Sequence, residues 1–549
     1  VGYQAGYNTT TGGSNTSLGY QSLFTNTTGV INTALGYSSL YSNTTGNFNI
    51  AVGQDALKSN TTASDSTAVG YLAGYNSNTT GITALGAYAG QDHTSGAELT
   101  ALGYFAAADN TTGANNTSVG AGSLRFNTTG SYNTILGWQA LHNNTTASNN
   151  TAVGYKAGYS NTTGERNTAV GTQSLYTNTT GSFNAAFGRA SMYFNTTGQE
   201  NVALGQDTLF SNSTGSYNVA VGKSALETNT TANYNTAVGY QAGLSNTTGT
   251  QNVAFGSLSL DANTTGNNNT ALGHHAAGKV TTASDNTALG KTALYENSTG
   301  ASNTAVGSEA LYFNTTANSN TAVGYQAGYN NTTGTENVAV GRSAMFDTST
   351  GSYNTALGRS ALASNTTASR NTAVGYRAAY ANTTGTETVA VGHQALYSQT
   401  TGRNTALGFN AGLDVSTGTY NTLIGGEAGE NITTGSYNVA LGTHALRFNT
   451  TASDNTAVGY RAGYSATSGG SNTFIGRYAG YTSNGSTATH NTFMGDRAGY
   501  SMTSGSKNTI IGRYSGNQGG LDIRTSSNNI VLSDGDGNVP AAFVGGKFY

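Results

Sequence analysis

Apolar and polar positions along this chain alternate in short groups that return at a fixed distance. NTAVG at Asn150–Gly154 is followed by NTAVG at Asn167–Gly171 and NAAFG at Asn184–Gly188. With Asn as position 1, position 4 is apolar in all thirty complete groups, among them Val153, Val170, Phe187, Leu204, Val221 and Val238. Position 2 is Thr, Val or Ile except at Ala185, and position 3 is Ala in 23 of the 30 groups. Alternation of β-branched and apolar side chains with a period of two marks a strand. The reading places positions 2 and 4 inward, which makes those six position-4 residues the predicted solenoid core.

The glycine at position 5 serves as a ruler. It occurs 31 times from Gly2 to Gly512; 27 of the 30 intervals are 17 residues, two are 16 and one, Gly476 to Gly495, is 19. Repetition this regular fixes the architecture class before propensity is consulted. It predicts an all-β fold, a parallel β-solenoid of about 31 coils of 17 residues over 1–512, with 513–549 as a C-terminal transition segment. Within each coil a second segment such as YKAGY (155–159) or QSLYT (173–177) carries a small residue at position 8 and Leu or Gly at position 9. An NTTG or NTTA corner and two variable residues close the phrase. Gly is expected to supply positive φ at such corners and Asn to bond nearby backbone. At about 4.8 Å per strand, some thirty coils predict a rod on the order of 150 Å long.

Composition narrows the functions open to such a chain. Only 8% of residues are charged, the net charge is −3, and there is no Cys and a single Pro. That balance gives no electrostatic case for nucleic acid, and no apolar run reaches the ~18 residues of a membrane span, so no membrane insertion is expected. A thin coil buries few side chains, while fixing its backbone costs about 1–2 kcal/mol per residue. Self-association is therefore expected through the small residues of the strand's other face, a strip typified by Ala152, Gly154, Ala169 and Gly171. Position 3 enlarges to Leu423, Phe474, Phe493 and Ile510 in four of the last six groups, which predicts a bulkier interface toward the C-terminus.

Little in the chain resembles a reactive site. Asn161, Asn178 and Asn195 each open an N-x-T acceptor for glycosylation, yet each also stands at the corner that every coil repeats, and the corner is the preferred reading. DGDGN (534–538) has the oxygen density of a calcium loop without its later bidentate Glu, and is read as a turn. His274-His275 has no partner cluster nearby in sequence. Trp138 takes the position-6 slot usually held by Tyr, and Tyr at positions 6 and 10 is read as stacked ladders. With no catalytic constellation, metal motif or cofactor motif, an enzyme is not expected.

NTAVG and NTALG resemble the N-S-V-A-I-G head repeats of trimeric autotransporter adhesins, a likeness that spans 2–512, although the family coil is shorter. NTAVGYKAGYSNTTG (150–164) is closer to long repeats of phage tail fibres that end in an endosialidase-type intramolecular chaperone. SSNNIVLSDGDGNV (526–539) resembles the segment that precedes such a chaperone. The resemblance implies a left-handed β-roll, three identical chains packed coaxially, and a chaperone beyond Tyr549 that is removed or lies outside this chain. It implies a virion tail fibre, a rigid trimeric shaft for attachment to a host cell-surface receptor, a glycan by expectation. The alternative is a bacterial surface adhesin fibre. An ice-binding solenoid is a third reading, set aside because it needs an outward plane of Thr and position 2 is expected to face inward.

Overall fold

The computed structural model describes residues 1–482 and 488–549. The corner of the lengthened Gly476–Gly495 interval, residues 483–487, lies outside the described residues. The chain forms two compact units, Val1–Ala271 and Leu272–Tyr549. The sequence shows no change of composition or period at that division. Both units are parallel β-solenoids, and no helix occurs among the described residues.

In each coil, positions 2 to 4 form a three-residue strand. Thr151–Val153 pairs with Thr168–Val170, and that strand with Ala185–Phe187, parallel and in register, so like positions form columns. Unit 1 continues this way from Thr16–Leu18 to Val253–Phe255, and unit 2 from Thr287–Leu289 to Thr509–Ile511. The rest of the coil is equally tied to its neighbours. The Lys156 N–H donates to the Trp138 carbonyl of the coil before (2.9 Å), and the Gly158 N–H to the Ser174 carbonyl of the coil after (2.9 Å). Thr162 gives both its N–H (2.9 Å) and its Oγ1–H (3.0 Å) to the Thr179 carbonyl.

The interior reverses the expected parity. Position 3 faces inward, whereas positions 2 and 4 face outward. Ala152, Ala169, Ala186, Ala203, Ala220 and Ala237 are all buried. Val153, Val170, Phe187, Leu204, Val221 and Val238, read from sequence as core, are half-buried or exposed, with Leu204 at 49%. A period of two fixes the alternation but not which face is inside. Space decides it. A 17-residue coil also encloses position 8, position 9 and the Asn at positions 1 and 12, so only Ala fits on most strands. In most coils the largest apolar side chain inside is the position-9 residue, such as Leu141, Leu175 or Met192; Phe474 and Phe493 at position 3 exceed it near the C-terminus.

Two inward Asn lock most coils. In the coil 167–183, Asn167 (position 1) and Asn178 (position 12) both donate from Nδ2 to the Gly181 carbonyl, each at 2.9 Å. The position-1 carboxamides also bond upward: Asn150 Oδ1 accepts the Asn167 N–H at 2.8 Å, and Asn167 Oδ1 accepts the Asn184 N–H at 3.0 Å. The position-12 carboxamides bond to one another, Asn178 to Asn161 and Asn195 to Asn178, both at 2.8 Å. The position-12 ladder runs unbroken from Asn263 to Asn110, every donor pointing to the preceding coil. Its final acceptor is His93, whose Nδ1 takes the Asn110 Nδ2–H at 2.8 Å and whose Nε2 bonds the Gly96 carbonyl. Those partners assign the tautomer: Nδ1 accepts and Nε2–H donates, so the imidazole reproduces the bonding of the Asn it replaces.

Among the described residues positive φ falls elsewhere than the NTTG corner, except in the two 16-residue coils, where Gly81 (80°) and Gly402 (106°) take it at the corner. In the coil 167–183 it is borne by Gln173 (58°), Leu175 (49°) and Phe183 (61°), at positions 7, 9 and 17. Left-handed non-glycine residues cost roughly 1–2 kcal/mol each, and here inter-coil hydrogen bonds hold them in place.

Replacing Asn178 with Ala should orphan the Asn161 acceptor and the Asn195 donor, lowering local opening free energy by about 1–3 kcal/mol. Amide hydrogen exchange should show this at Thr179 and adjacent rungs but not several coils away; uniform loss through unit 1 would contradict it. Burial holds the His93 imidazole pKa below its ordinary value. Folded His93 thus binds fewer protons than unfolded. Its contribution is complete above the unfolded pKa of about 6.5 and declines as pH falls through it. Exchange near Ala89–Asn110, corrected for intrinsic rate, should accelerate between pH 7 and 5, and His93→Asn should abolish that acceleration.

Candidate functional site

The parity of the strands creates a band of outward apolar side chains on each unit. Because the register is exact from coil to coil, position 4 forms one column through Val153, Val170, Phe187, Leu204, Val221 and Val238, with position 2 beside it. Exposure reaches 52% at Leu136 and 50% at Phe255 in unit 1, and 47% at Leu357 and Leu407 in unit 2. Contiguous apolar surface on this scale is uncommon on the outside of a monomeric protein. The sequence contained the signal for it, invariant apolar residues at position 4, but the reading assigned that signal to the core.

The strip predicted for association with other chains is therefore displaced. Ala152, Ala169, Phe474 and Phe493 are buried inside their own coils. Gly154 and Gly171 are half-buried, and they are glycines because of coil stacking. Gly154 has φ of +129°, and a Cβ there would stand 2.7 Å from the Gly171 carbonyl oxygen. The large position-3 residues near the C-terminus fill space left by glycine at position 9. A Cβ on Gly463 would lie 2.6 Å from the Phe474 ring, and one on Gly499 2.5 Å from the Phe493 ring. Leu423 packs in the same way against Gly412 and Gly429. They thicken the interior, not an interface.

Around the coil from this band stand the aromatic columns. Tyr159 stacks on Tyr176 (5.3 Å, 11°), Tyr176 on Tyr193 (4.9 Å) and Trp138 on Tyr155 (5.1 Å, 9°). The Lys156 ammonium lies within 6 Å of four rings of these columns, close enough for attraction to their π faces. DGDGN is a turn closed on Asp534: its Oδ1 accepts the N–H groups of Asp536 (3.0 Å) and Asn538 (2.8 Å), and its Oδ2 the Asn538 Nδ2–H (2.9 Å). The Asn538 side chain holds the Asp534 carboxyl below its ordinary pKa. His274 and His275 meet edge to face at 4.3 Å, and His275 meets Tyr295 in the same way. Among the described residues no group of three or more His, Asp or Glu is placed to hold a metal, and no helix is long and apolar enough to cross a membrane.

The acceptor asparagines are the inward rungs of the position-12 ladder. Asn161, Asn178 and Asn195 are at most 2% exposed, and each Nδ2 donates to both the preceding Asn and its own position-15 carbonyl. A glycan on Nδ2 would remove a donated hydrogen and have no exit from the coil. Peptides carrying these residues should show no mass added to Asn even after expression in a glycosylating host; an occupied Asn178 in folded protein would overturn the inward placement.

No family model matches this chain, and no curated protein matches it.

Proposed function

We propose that the chain is the shaft of a homotrimeric phage tail fibre, which holds a host-attachment function at a distance from the virion. The observation that carries the proposal is the outward apolar column at position 4. Burying a Val, Leu or Phe contributes up to about 1.5–3 kcal/mol, so half-exposed side chains repeated on every rung favour association strongly when summed. Identical chains with identical periods offer the same side chain at the same height, and a closed cyclic arrangement leaves no sticky face free to form open filaments. The resemblance to trimeric fibre repeats supplies the number three. A low-charge, internally hydrogen-bonded solenoid suits a passive spacer, and a bacterial surface adhesin fibre would use the same construction.

Ice binding gains one observation, since the Thr of position 2 faces outward. The neighbouring position-4 column mixes Val, Leu, Phe, Met and Ile, so the face lacks the uniform rungs that matching a lattice requires. Variable apolar side chains fit a protein partner better.

The intact chain should sediment near three times 55.7 kDa. A variant with Phe187→Asp, Leu204→Asp, Val221→Asp and Val238→Asp should keep its far-ultraviolet spectrum and lose trimer in favour of monomer. A wild-type chain that stays monomeric at micromolar concentration would sink the proposal.

A further inference from the structure

One aromatic column of unit 2 ends in a cleft. Tyr464, Tyr481 and Tyr500 hold position 10 in successive coils and stack at 5.0 and 4.9 Å. The column has no next ring. Asn517 holds that place in the next coil, while Tyr514, at position 7, is fully buried and donates its hydroxyl to the Leu521 carbonyl at 2.6 Å. The chain then leaves the solenoid path through the antiparallel pair Asn517–Gln518 and Leu521–Asp522. Beside this departure lies a cleft of about 590 Å³, lined by Tyr478, Tyr481, Tyr500, Arg461, Arg497 and Arg513, with Asp536 its one acid. That volume is in the range of ligand sites, about 300–1,000 Å³.

The charges in the cleft are incompletely matched. Asp496 serves two cations beside it, Arg477 at 2.9 Å and Arg513 at 3.5 Å. Arg461 gives its Nε–H to His444 Nδ1 at 3.4 Å and lies over the Tyr460 and Tyr464 rings. Neither Arg461 nor Arg497 has a carboxylate within 4 Å among the described residues. In a chain that is 8% charged, guanidiniums gathered on one cleft ask for an anion.

Their spacing says what kind. Arg461 and Arg497 both stand at position 7, two coils apart, so their backbones are about 9.6 Å from each other. Tyr478 occupies the same position on the rung between. A compact anion such as phosphate meets these groups singly. A linear ligand with acids on alternate rings and apolar ring faces between them meets both. Guanidinium forks match carboxylates bidentately, and tyrosine offers a flat apolar face with a polar rim. Ser515 and Gln518, also in the lining, bring hydrogen-bonding groups suited to hydroxyls.

We propose that this cleft binds a carboxylated saccharide, a short run of uronic or similarly acidic sugars, through Arg461 and Arg497, with sugar rings against Tyr478 and the uncovered end face of Tyr500 and the edge of Tyr481 between them. The inference rests on the attachment reading for its purpose. Its residues all belong to one chain, so a monomeric sedimentation mass would count against the fibre and not against the cleft. The probe is a hexamer of α-1,4-linked galacturonic acid, titrated into the intact chain at about 0.15 M ionic strength, where weak surface attraction is screened. Wild type should bind it, and Arg461→Ala with Arg497→Ala should weaken binding at least tenfold without shifting the melting temperature. Tyr478→Ala should weaken it several-fold, and the fully methyl-esterified hexamer should not bind. Three results would overturn the inference: no binding at millimolar hexamer, equal binding of the ester, or displacement by inorganic phosphate at the hexamer's own concentration.

Discussion

Each coil depends on the satisfaction of polar groups at its own centre. Seventeen residues enclose too little volume for a hydrocarbon core, and the turning backbone points a carbonyl at position 15 into that space. Two carboxamides, from positions 1 and 12, close on it from either side, as Asn167 and Asn178 do on Gly181. An unpaired buried carbonyl or amide costs several kcal/mol in a dry interior, which favours Asn at both positions, although buried apolar residues such as Ile82, Val280 and Ile432 take them in some coils. The uniformity of the sequence follows. An inward Asn needs a partner above and below, and that demand passes from coil to coil like the side-chain ladders of cross-β stacks.

The same constraint sets what faces water. With Asn, Ala and a single Leu or Gly filling the centre, the branched residues of the strand are left outside. A folded monomer thereby carries its most hydrophobic column on its surface, the reverse of the usual arrangement. Stability within the coil comes from hydrogen bonds and close backbone stacking, and the larger apolar side chains of the strand are left on the outside. Interior packing and exposed apolar surface are thus assigned to opposite faces of the same three residues.

The sequence disclosed the class of fold through its period, and the strands through alternation at positions 2 to 4. Parity escaped it because alternation is symmetric: Thr151 and Val153 could be either face until the volume around Ala152 is known. The corner was read as a turn with Asn bonding nearby backbone, which holds, but its inward direction and the place of positive φ were hidden. Asn161 has the composition of an exposed turn, but its amide is spent inside the coil, and the left-handed residues are ones such as Gln173 and Leu175 whose identity gives no warning of positive φ. The pairing of Phe474 with Gly463 and Gly480 could have been found by asking which glycines accompany large position-3 residues. The inward turn of Tyr514 could not, since it occurs where the period ends and no ruler applies. Departures from the phrase are also where chemistry gathers: His93 in a ladder of Asn, and arginines beside a column of rings that stops.

The ladder of position-12 carboxamides has a direction, every donor pointing to the preceding coil. Each coil therefore presents acceptors on one side and donors on the other, the same for all its neighbours. Near-identical coding repeats are prone to unequal recombination, which deletes or duplicates whole units. In most proteins such an event destroys the fold. Between coils that both carry Asn at position 12, loss or gain of a whole phrase would rejoin an acceptor face to a donor face of the same chemistry. In that stretch, from Asn110 to Asn263, adding or removing one phrase would change length by one coil and leave every remaining ladder bond with its partner.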